Sequence, residues 1–106
     1  MPGEVLFLVK ATVDKAQADA FNHWYNVEHA PSVLRVPGCR SARRFVLERA
    51  DTEEGFEWLA VYEFESEAAY LAFEASPVRA ELRREYDRRF GQVSERVHLQ
   101  YRQIWP

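Results

Sequence analysis

Residues 21–31, with the sequence FNHWYNVEHAP, hold the densest group of side chains capable of acid–base chemistry and ligand binding. A helix turns about 100° per residue, so one helix face would carry Phe21, Trp24, Tyr25 and Glu28. His29 falls at the margin of that face, and His23 points nearly the opposite way. Histidine titrates near neutral pH and commonly acts as a general acid or base. The segment therefore combines a candidate base with aromatic walls for an apolar ring.

Glu28 is unusual on such a face, because a carboxylate rarely faces a core unless it is paired. In the functional interpretation, Glu28 and His29 lie at the mouth of a pocket between helix and sheet. Phe21, Trp24 and Tyr25 would then bind the substrate. In the structural interpretation, Glu28 pairs with an arginine and His29 caps the helix end through the helix dipole. The residue types alone leave both interpretations open.

A second candidate group consists of arginines on a predicted strand. Strand alternation puts Arg43 on one face and Arg40 and Arg44 on the other. An arginine that faces a pocket can bind a carboxylate or enolate through two hydrogen bonds, although strand arginines also pair with acids or protect sheet edges. We predict that Arg43 binds the substrate or pairs with Glu28. Tyr62 is a further candidate, as a hydrogen-bond donor to the pocket.

Several other chemistries do not fit the sequence. His23 and His29 are six residues apart, so one helix cannot direct both at a metal ion, and no Cys/His spacing matches zinc. Net charge is −3 with both signs dispersed, which argues against nucleic-acid and membrane partners. The chain has one cysteine, no basic leader and no apolar run near the roughly 20 residues of a membrane helix. We expect a cytoplasmic protein without a metal site.

The hydrophobic pattern predicts four strands and two helical regions. The strands cover residues 4–12, 39–49, 56–65 and 93–105. The first helix opens at Asp14 and ends near His29. The second region starts at Ser66, restarts at Ser76 and ends at Gly91, with an apolar stripe at Val78, Leu82, Tyr86 and Phe90. The order β-α-β-β-α-β predicts one α+β domain over residues 1–106, a ferredoxin-like plait with a four-stranded antiparallel sheet.

The strands carry apolar residues on both faces, as in Phe7 and Val9 against Leu6 and Leu8. Helices cover only one face of a plait, so something must cover the other. A second copy related by two-fold symmetry is the simplest cover and predicts a homodimer. A monomer with an unusually apolar sheet is the alternative.

Residues 21–45, FNHWYNVEHAPSVLRVPGCRSARRF, resemble the EthD-like family of the dimeric α+β barrel superfamily. The matching features are Trp24-Tyr25, His29, Pro31, the Pro37-Gly38 turn and the basic strand that follows. The segment LAVYEFE at 59–65 is similar to that family's third strand. The resemblance implies the same fold and dimer, a cavity between helices and sheet, and a helix-exit histidine at His29. The second histidine of the lactone isomerase pattern is not found.

The resemblance implies a cofactor-independent enzyme of catabolic or secondary metabolism that acts on a small cyclic or aromatic acidic metabolite. The expected reaction is proton transfer, in isomerisation, cyclisation or elimination. His29 would be the base, Glu28 would orient or polarise it, and Arg43 would hold the anion. One alternative is a cofactor-free oxygenase with Trp24 and the tyrosines lining a dry pocket. The other is a non-catalytic protein that binds or delivers a small molecule.

Overall fold

The computed structural model describes residues 3–106, which form one antiparallel sheet with helices packed on one face. The strands are β1 (Val5–Val13), β2 (Cys39–Val46), β3 (Trp58–Phe64) and β4 (Ser94–Arg102). The sheet order is β2-β3-β1-β4, and every neighbouring pair is antiparallel. The predicted four-stranded ferredoxin-like plait is therefore confirmed. The buried first strand is central, as its continuous apolar run predicts.

The helical elements differ from the predicted pair in their details. They are a 3₁₀ turn (Lys15–Gln17), α1 (Ala18–Trp24), a π-helical turn (Tyr25–His29), α2 (Ala30–Leu34), α3 (Glu67–Glu74) and α4 (Pro77–Phe90). Ser66 and Ser76 cap α3 and α4, because each hydroxyl accepts a backbone N–H at 3.1 Å. Asp14 makes no such bond, and the chain enters α1 through the 3₁₀ turn. Within residues 3–106, no helix is long and apolar enough to cross a membrane.

Strand register decides which side chains face the helices. The odd-numbered residues of β1 from Val5 to Ala11 are buried beneath the helices, opposite the even-numbered residues of β3. On β4 the same face carries Ser94, Arg96, His98 and Gln100. The opposite face of the sheet carries Leu6, Leu8, Leu59, Val61, Val97, Leu99 and Tyr101. Both faces thus hold apolar residues, as the sequence predicts.

The prediction of an apolar stripe on α4 is only partly correct. Tyr86 and Phe90 are buried and Leu82 packs against the core, but Val78 is 49% exposed. Arg79 takes the buried position instead, because its guanidinium pairs with Glu74 at 2.9 Å and lies over two core phenylalanine rings. Burying an arginine requires such partners. Hydrophobic spacing alone does not reveal them.

The Pro37-Gly38 turn forms as predicted, and its glycine is required. Gly38 has φ of +87°, a region that side chains rarely adopt, and an added Cβ would lie 2.5 Å from the Cβ of Ala69. The turn delivers the chain into β2. Its tight approach to α3 also fixes where β2 begins beside β3.

Candidate active site

A π-helical turn at Tyr25–His29 positions the candidate base. A π-helical turn closes with an i→i+5 hydrogen bond and so holds about one residue more than an α-helical turn. His29 therefore stacks on Trp24, five residues earlier, with ring centroids 4.8 Å apart and planes 28° apart. Pro31 lies in the first turn after it, where a residue without an N–H is tolerated. The helix thus continues through Leu34 instead of ending at His29.

The imidazole of His29 is enclosed by aromatic rings. The side chain is 7% exposed, and Tyr25 meets it edge-on at 4.8 Å while Tyr86 lies 6.2 Å away. Its Nδ1 is buried and has no hydrogen-bond partner among residues 3–106. Burial lowers the pKa of His29 to about 3, assisted by the charges of Arg96, Arg79 and Arg44 and by His98. The ring is therefore neutral at physiological pH.

Glu28 does not lie on the core-facing side of the helix, so that prediction is wrong. Its side chain is exposed, because the extra residue in the π-helical turn rotates position 29 inward and position 28 outward. Glu28 makes no side-chain hydrogen bond to His29 within the described chain. The pKa of Arg89 on α4 is raised by its hydrogen bond with Glu85, and the charge of Glu28 adds to this effect. Glu28 is thus a residue of the pocket rim.

Arg43 is not the partner of Glu28, and it does not face the helices. Residue 43 pairs with Val61, on the face of the sheet away from the helices, and its guanidinium lies 5.6 Å from the ring of Phe45. Arg44 is the strand arginine that faces the helices. Its Cζ lies 4.2 Å above the centre of the Tyr25 ring. Arg43 and Arg44 do lie on opposite faces, as alternation predicts, but the register shifts between Cys39 and Ser41, and Arg40 is exposed and pairs with Glu4.

The aromatic residues predicted to bind substrate have different environments. Phe21 is fully buried and packs edge-on against Phe90 at 5.2 Å, so it belongs to the core. Trp24 is buried but lines a pocket beside His29. The hydroxyls of Tyr25 and Tyr62 are buried between helix and sheet. They are near enough to affect each other's acidity but lie outside hydrogen-bond geometry, and burial raises the pKa of both.

Sequence reasoning missed the arginines that surround His29 from other elements. Arg96 on β4 lies with its Cζ 3.6 Å above the centre of the Tyr86 ring, and its side chain is only 12% exposed. The side chain of Arg79 on α4 is 7% exposed and has one buried nitrogen without a partner. His98, two residues after Arg96, stacks on Phe7 at 5.7 Å. Strand parity does place Arg96 and His98 together on the helix-facing side, so the signal was available.

Two pockets flank the first helical segment. One of about 310 Å³ lies between the π-helical turn and α4, and is lined by Trp24, Glu28, His29, Ser32, Glu81, Leu82 and Glu85. Glu28 and His29 do share a pocket, but it lies between helices and not between helix and sheet. The other, of about 540 Å³, lies between the helical segment and the β2 edge of the sheet. We call them the histidine pocket and the edge pocket.

This arrangement combines a neutral base with nearby fixed positive charge. A proton taken up by His29 would leave an anion on its donor, and the charged side chains that line the histidine pocket itself are the acids Glu28, Glu81 and Glu85. Residues 3–106 contain no cluster of three or more His, Cys, Asp or Glu side chains placed to hold a metal ion. The chemistry described here uses only the side chains of the chain itself.

Comparison with solved structures shows the same fold in proteins of low sequence identity. An ethyl tert-butyl ether D (EthD) family protein from Bacillus halodurans superposes with a TM-score of 0.71 at 13% identity, covering 94% of this chain and 99% of that one. SnoaB, a cofactor-independent oxygenase from Streptomyces nogalater, gives 0.67 at 18% identity, covering 97% and 95%. A dimeric protein of unknown function with a ferredoxin-like fold from Bacteroides fragilis gives 0.65 at 12% identity, covering 95% and 97%.

These similarities confirm the expected EthD-like, ferredoxin-like fold, and at these identities they show the fold alone. No curated protein matches the chain. A family model described as a domain of unknown function, DUF4286, matches residues 4–99, which is nearly the whole chain. The chain belongs to the DUF4286 family.

Proposed function

We propose that the protein is a cofactor-independent enzyme that removes a proton from a small cyclic or aromatic metabolite. The observation that supports this most directly is His29, a buried and neutral imidazole that lines a pocket and whose Nδ1 has no hydrogen-bond partner among residues 3–106. A structural histidine in a core normally has its polar atoms satisfied. Proton transfer to a neutral base requires no cofactor, which fits the reaction class of isomerisation, cyclisation or elimination.

In the proposed step, a C–H or O–H bond of the substrate breaks, an N–H bond forms on His29, and the electron pair stays on the substrate as an enolate or phenolate. A base with a pKa of about 3 is weak, so the product ion pair must be stabilised. Arg96 and Arg79 lower the pKa of His29 because their charges oppose its protonation. A negative charge formed beside them would offset that opposition, and the affinity of His29 for the proton would rise as the substrate anion forms.

The histidine pocket also limits the kind of substrate. Its rim carries Glu28, Glu81 and Glu85, and the last two are paired with arginines of α4. An acidic rim disfavours a permanent carboxylate at this position. We therefore expect the acidic group of the substrate in this pocket to be the C–H or O–H bond that His29 deprotonates, and not a carboxylate. The stacked Trp24 supplies an aromatic wall for the ring.

A cofactor-free oxygenase is the second candidate function. The similarity of fold to SnoaB favours this reaction class. The first step is shared, because an enolate or phenolate formed by His29 is the electron-rich species that dioxygen would attack. The two functions differ in what that anion then takes up: a proton in the first candidate function, and oxygen in the second.

We also propose that the protein works as a homodimer. The sheet face away from the helices carries seven apolar side chains, and three large hydrophobic residues of the same face are at least 37% exposed: Phe45, Val97 and Tyr101. A contiguous apolar surface of this kind is typical of an interface. A second copy of the same face, related by two-fold symmetry, would cover it.

Deuterium exchange tests the proposal without a known substrate. The protein is incubated in D₂O with a panel of cyclic ketones, lactones and phenols, and ring C–H signals are followed by NMR. We expect one class to exchange faster with the protein, and His29→Gln to lower that rate by about 10²–10⁴, the usual contribution of a general base. An oxygen electrode on the same panel identifies the oxygenase alternative.

His23→Gln is the matched control, because His23 lies on the same helix but is exposed. It should leave the exchange rate unchanged. Compounds that bind equally to wild type and His29→Gln, with no exchange or oxygen uptake in either, would identify a carrier and refute the enzymatic proposal. Equal loss of rate in both variants would show that His29 is not the base.

A further inference from the structure

The edge pocket lies on the other side of the first helical segment from His29. It has a volume of about 540 Å³ and is lined by Asn22, Asn26, Ala30, Pro31, Leu34, Ala42, Arg44, Phe45, Val46 and Trp58. Most of these walls are apolar. Its polar groups are one guanidinium, two amides and one indole N–H. This composition, mainly apolar with a few convergent polar groups, is typical of a small-molecule site.

Arg44 is held in a fixed orientation at this site. One terminal nitrogen, Nη1, donates to Asn22 Oδ1 at 2.9 Å and to Asn26 Oδ1 at 3.0 Å. The guanidinium also lies over the Tyr25 ring, with Cζ 4.2 Å from the centroid. A guanidinium fixed by stacking and by two hydrogen bonds is already arranged for planar, bidentate recognition.

The hydrogen bonds to Arg44 also determine how the two amides face. Arginine can only donate, so Asn22 and Asn26 must present their oxygens to it. Their NH₂ groups are then left as donors. Together with the remaining nitrogens of Arg44, the polar groups of the pocket are donors without a matching acceptor.

The charge of Arg44 has no counter-ion in the described chain. Across residues 3–106, no carboxylate lies within ion-pairing distance of it, and no acidic residue lines the pocket. The Nε of Arg44 and the indole Nε1 of Trp58 are both buried without hydrogen-bond partners. An unpaired and half-buried cation surrounded by free donors is expected to bind an anion.

We propose that the edge pocket binds a planar aromatic carboxylate, with the carboxylate on Arg44 and the ring against Trp58. The donors match the acceptor oxygens of a carboxylate, and Trp58 with Pro31 and Leu34 provides an apolar wall for a ring. This site is distinct from the histidine pocket and does not depend on the proposed proton transfer. It supplies the acid-binding site that the acidic rim around His29 does not provide.

The test uses benzoate as the probe and ¹H–¹⁵N NMR of the full-length protein as the readout. We expect benzoate to shift the Nε–H signal of Arg44 and the indole signal of Trp58, the latter assigned with Trp58→Phe. Arg44→Gln should weaken benzoate binding by about tenfold or more, the usual effect of losing a charge-assisted hydrogen bond. Benzamide, which keeps the ring but lacks the charge, should bind more weakly than benzoate.

Arg43→Gln is the matched control, because it removes the same charge from the adjacent residue on the other face of the sheet. It should leave the benzoate affinity nearly unchanged. If Arg44→Gln fails to fold, Asn26→Asp is the second variant, since residue 26 is exposed and the new carboxylate would pair with Arg44 and exclude the anion. Benzoate shifts that are absent, or that weaken equally in Arg43→Gln, would overturn the proposal.

The same titration separates this inference from the proposed function. His29→Gln should retain the benzoate shifts at Arg44 and Trp58, because His29 does not line the edge pocket. If the wild-type protein catalyses no deuterium exchange but still binds benzoate, only the enzymatic proposal is refuted. Exchange that persists without benzoate binding would refute only the carboxylate site.

Discussion

Acidification should destabilise this protein through His29. The pKa of His29 is about 3 in the folded chain and 6.5 in an unfolded one. Between these values the unfolded state binds more protons, so the free energy of unfolding falls as pH decreases. Lowering the pH from 7 to 5 should then reduce it by about 2 kcal/mol through this residue alone. That is a large fraction of the roughly 5–15 kcal/mol typical of a small domain.

Urea unfolding of wild type and His29→Gln at several pH values measures this effect. The stability difference between the two proteins should narrow or reverse as the pH falls from 7 to 5. His98 also has a lowered pKa, because of partial desolvation and the nearby Arg96, so it contributes in the same direction in both proteins. Protein concentration must be constant, since dimerisation would change apparent stability.

His23→Gln is the control for the acid experiment, because it replaces an exposed histidine on the same helix. NMR titration of the imidazole C–H signals gives an independent value for His29. The reasoning would be refuted by a His29 signal that titrates near 6.5. It would also be refuted if His29→Gln kept the full loss of stability between pH 7 and 5.

Two further predictions follow from burial and from the open sheet face. Phe90→Ala should lower the free energy of unfolding by about 3–5 kcal/mol. Val78→Ala, at a position that is 49% exposed, should change it by less than about 0.5 kcal/mol. Equal losses of stability in urea unfolding would show that α4 is oriented differently. Wild type should sediment at twice 12.5 kDa, and Leu99→Arg on the open face should sediment as a monomer, whereas Leu71→Arg on α3 should remain dimeric. A wild-type monomer, or a dimer that tolerates Leu99→Arg, would contradict the homodimer.

The fold could be predicted because the strands carry clear alternation and the turns carry strong local signals. On β3, Trp58 and Tyr62 face the helices with the even-numbered residues, as the two-residue period requires. The serines before α3 and α4 were recognisable as caps, and the second of them, Ser76, directly precedes Pro77. Strand ends were less well predicted, because the apolar residues after β4 that extend its pattern, including Trp105, lie beyond its last hydrogen bonds.

The candidate site was harder to predict because its helix does not have a constant period. A rotation of 100° per residue puts Glu28 inside and His29 at the margin, and it fails at the turn that starts with Tyr25. No residue type specifies a π-helical turn, and the contact that accompanies it here, the stacking of His29 on Trp24, is visible only once the turn is known. The environment predicted for His29 was therefore wrong, and its role as the base stays a prediction.

The choice between Arg43 and Arg44 shows the same limit at the level of the sheet. Alternation separates the two residues, but only the register with β3 decides which of them faces the helices. Once that register is known, the charged side chains between helices and sheet are seen to be arginines and not the predicted Glu28. Arg44 and Arg96 lie on the helix-facing side of the sheet, and Arg79 is buried on α4. Among residues 3–106, only Glu74 and Asp87 form ion pairs with any of these three arginines. An anion-binding arginine fits an interior of this charge.

The two pockets are physically connected through the rings between them. Arg44 stacks on Tyr25, and the Tyr25 ring meets His29 edge-on at 4.8 Å. The charge of Arg44 is one of those that lower the pKa of His29. An anion bound to Arg44 would offset this charge and raise the proton affinity of His29.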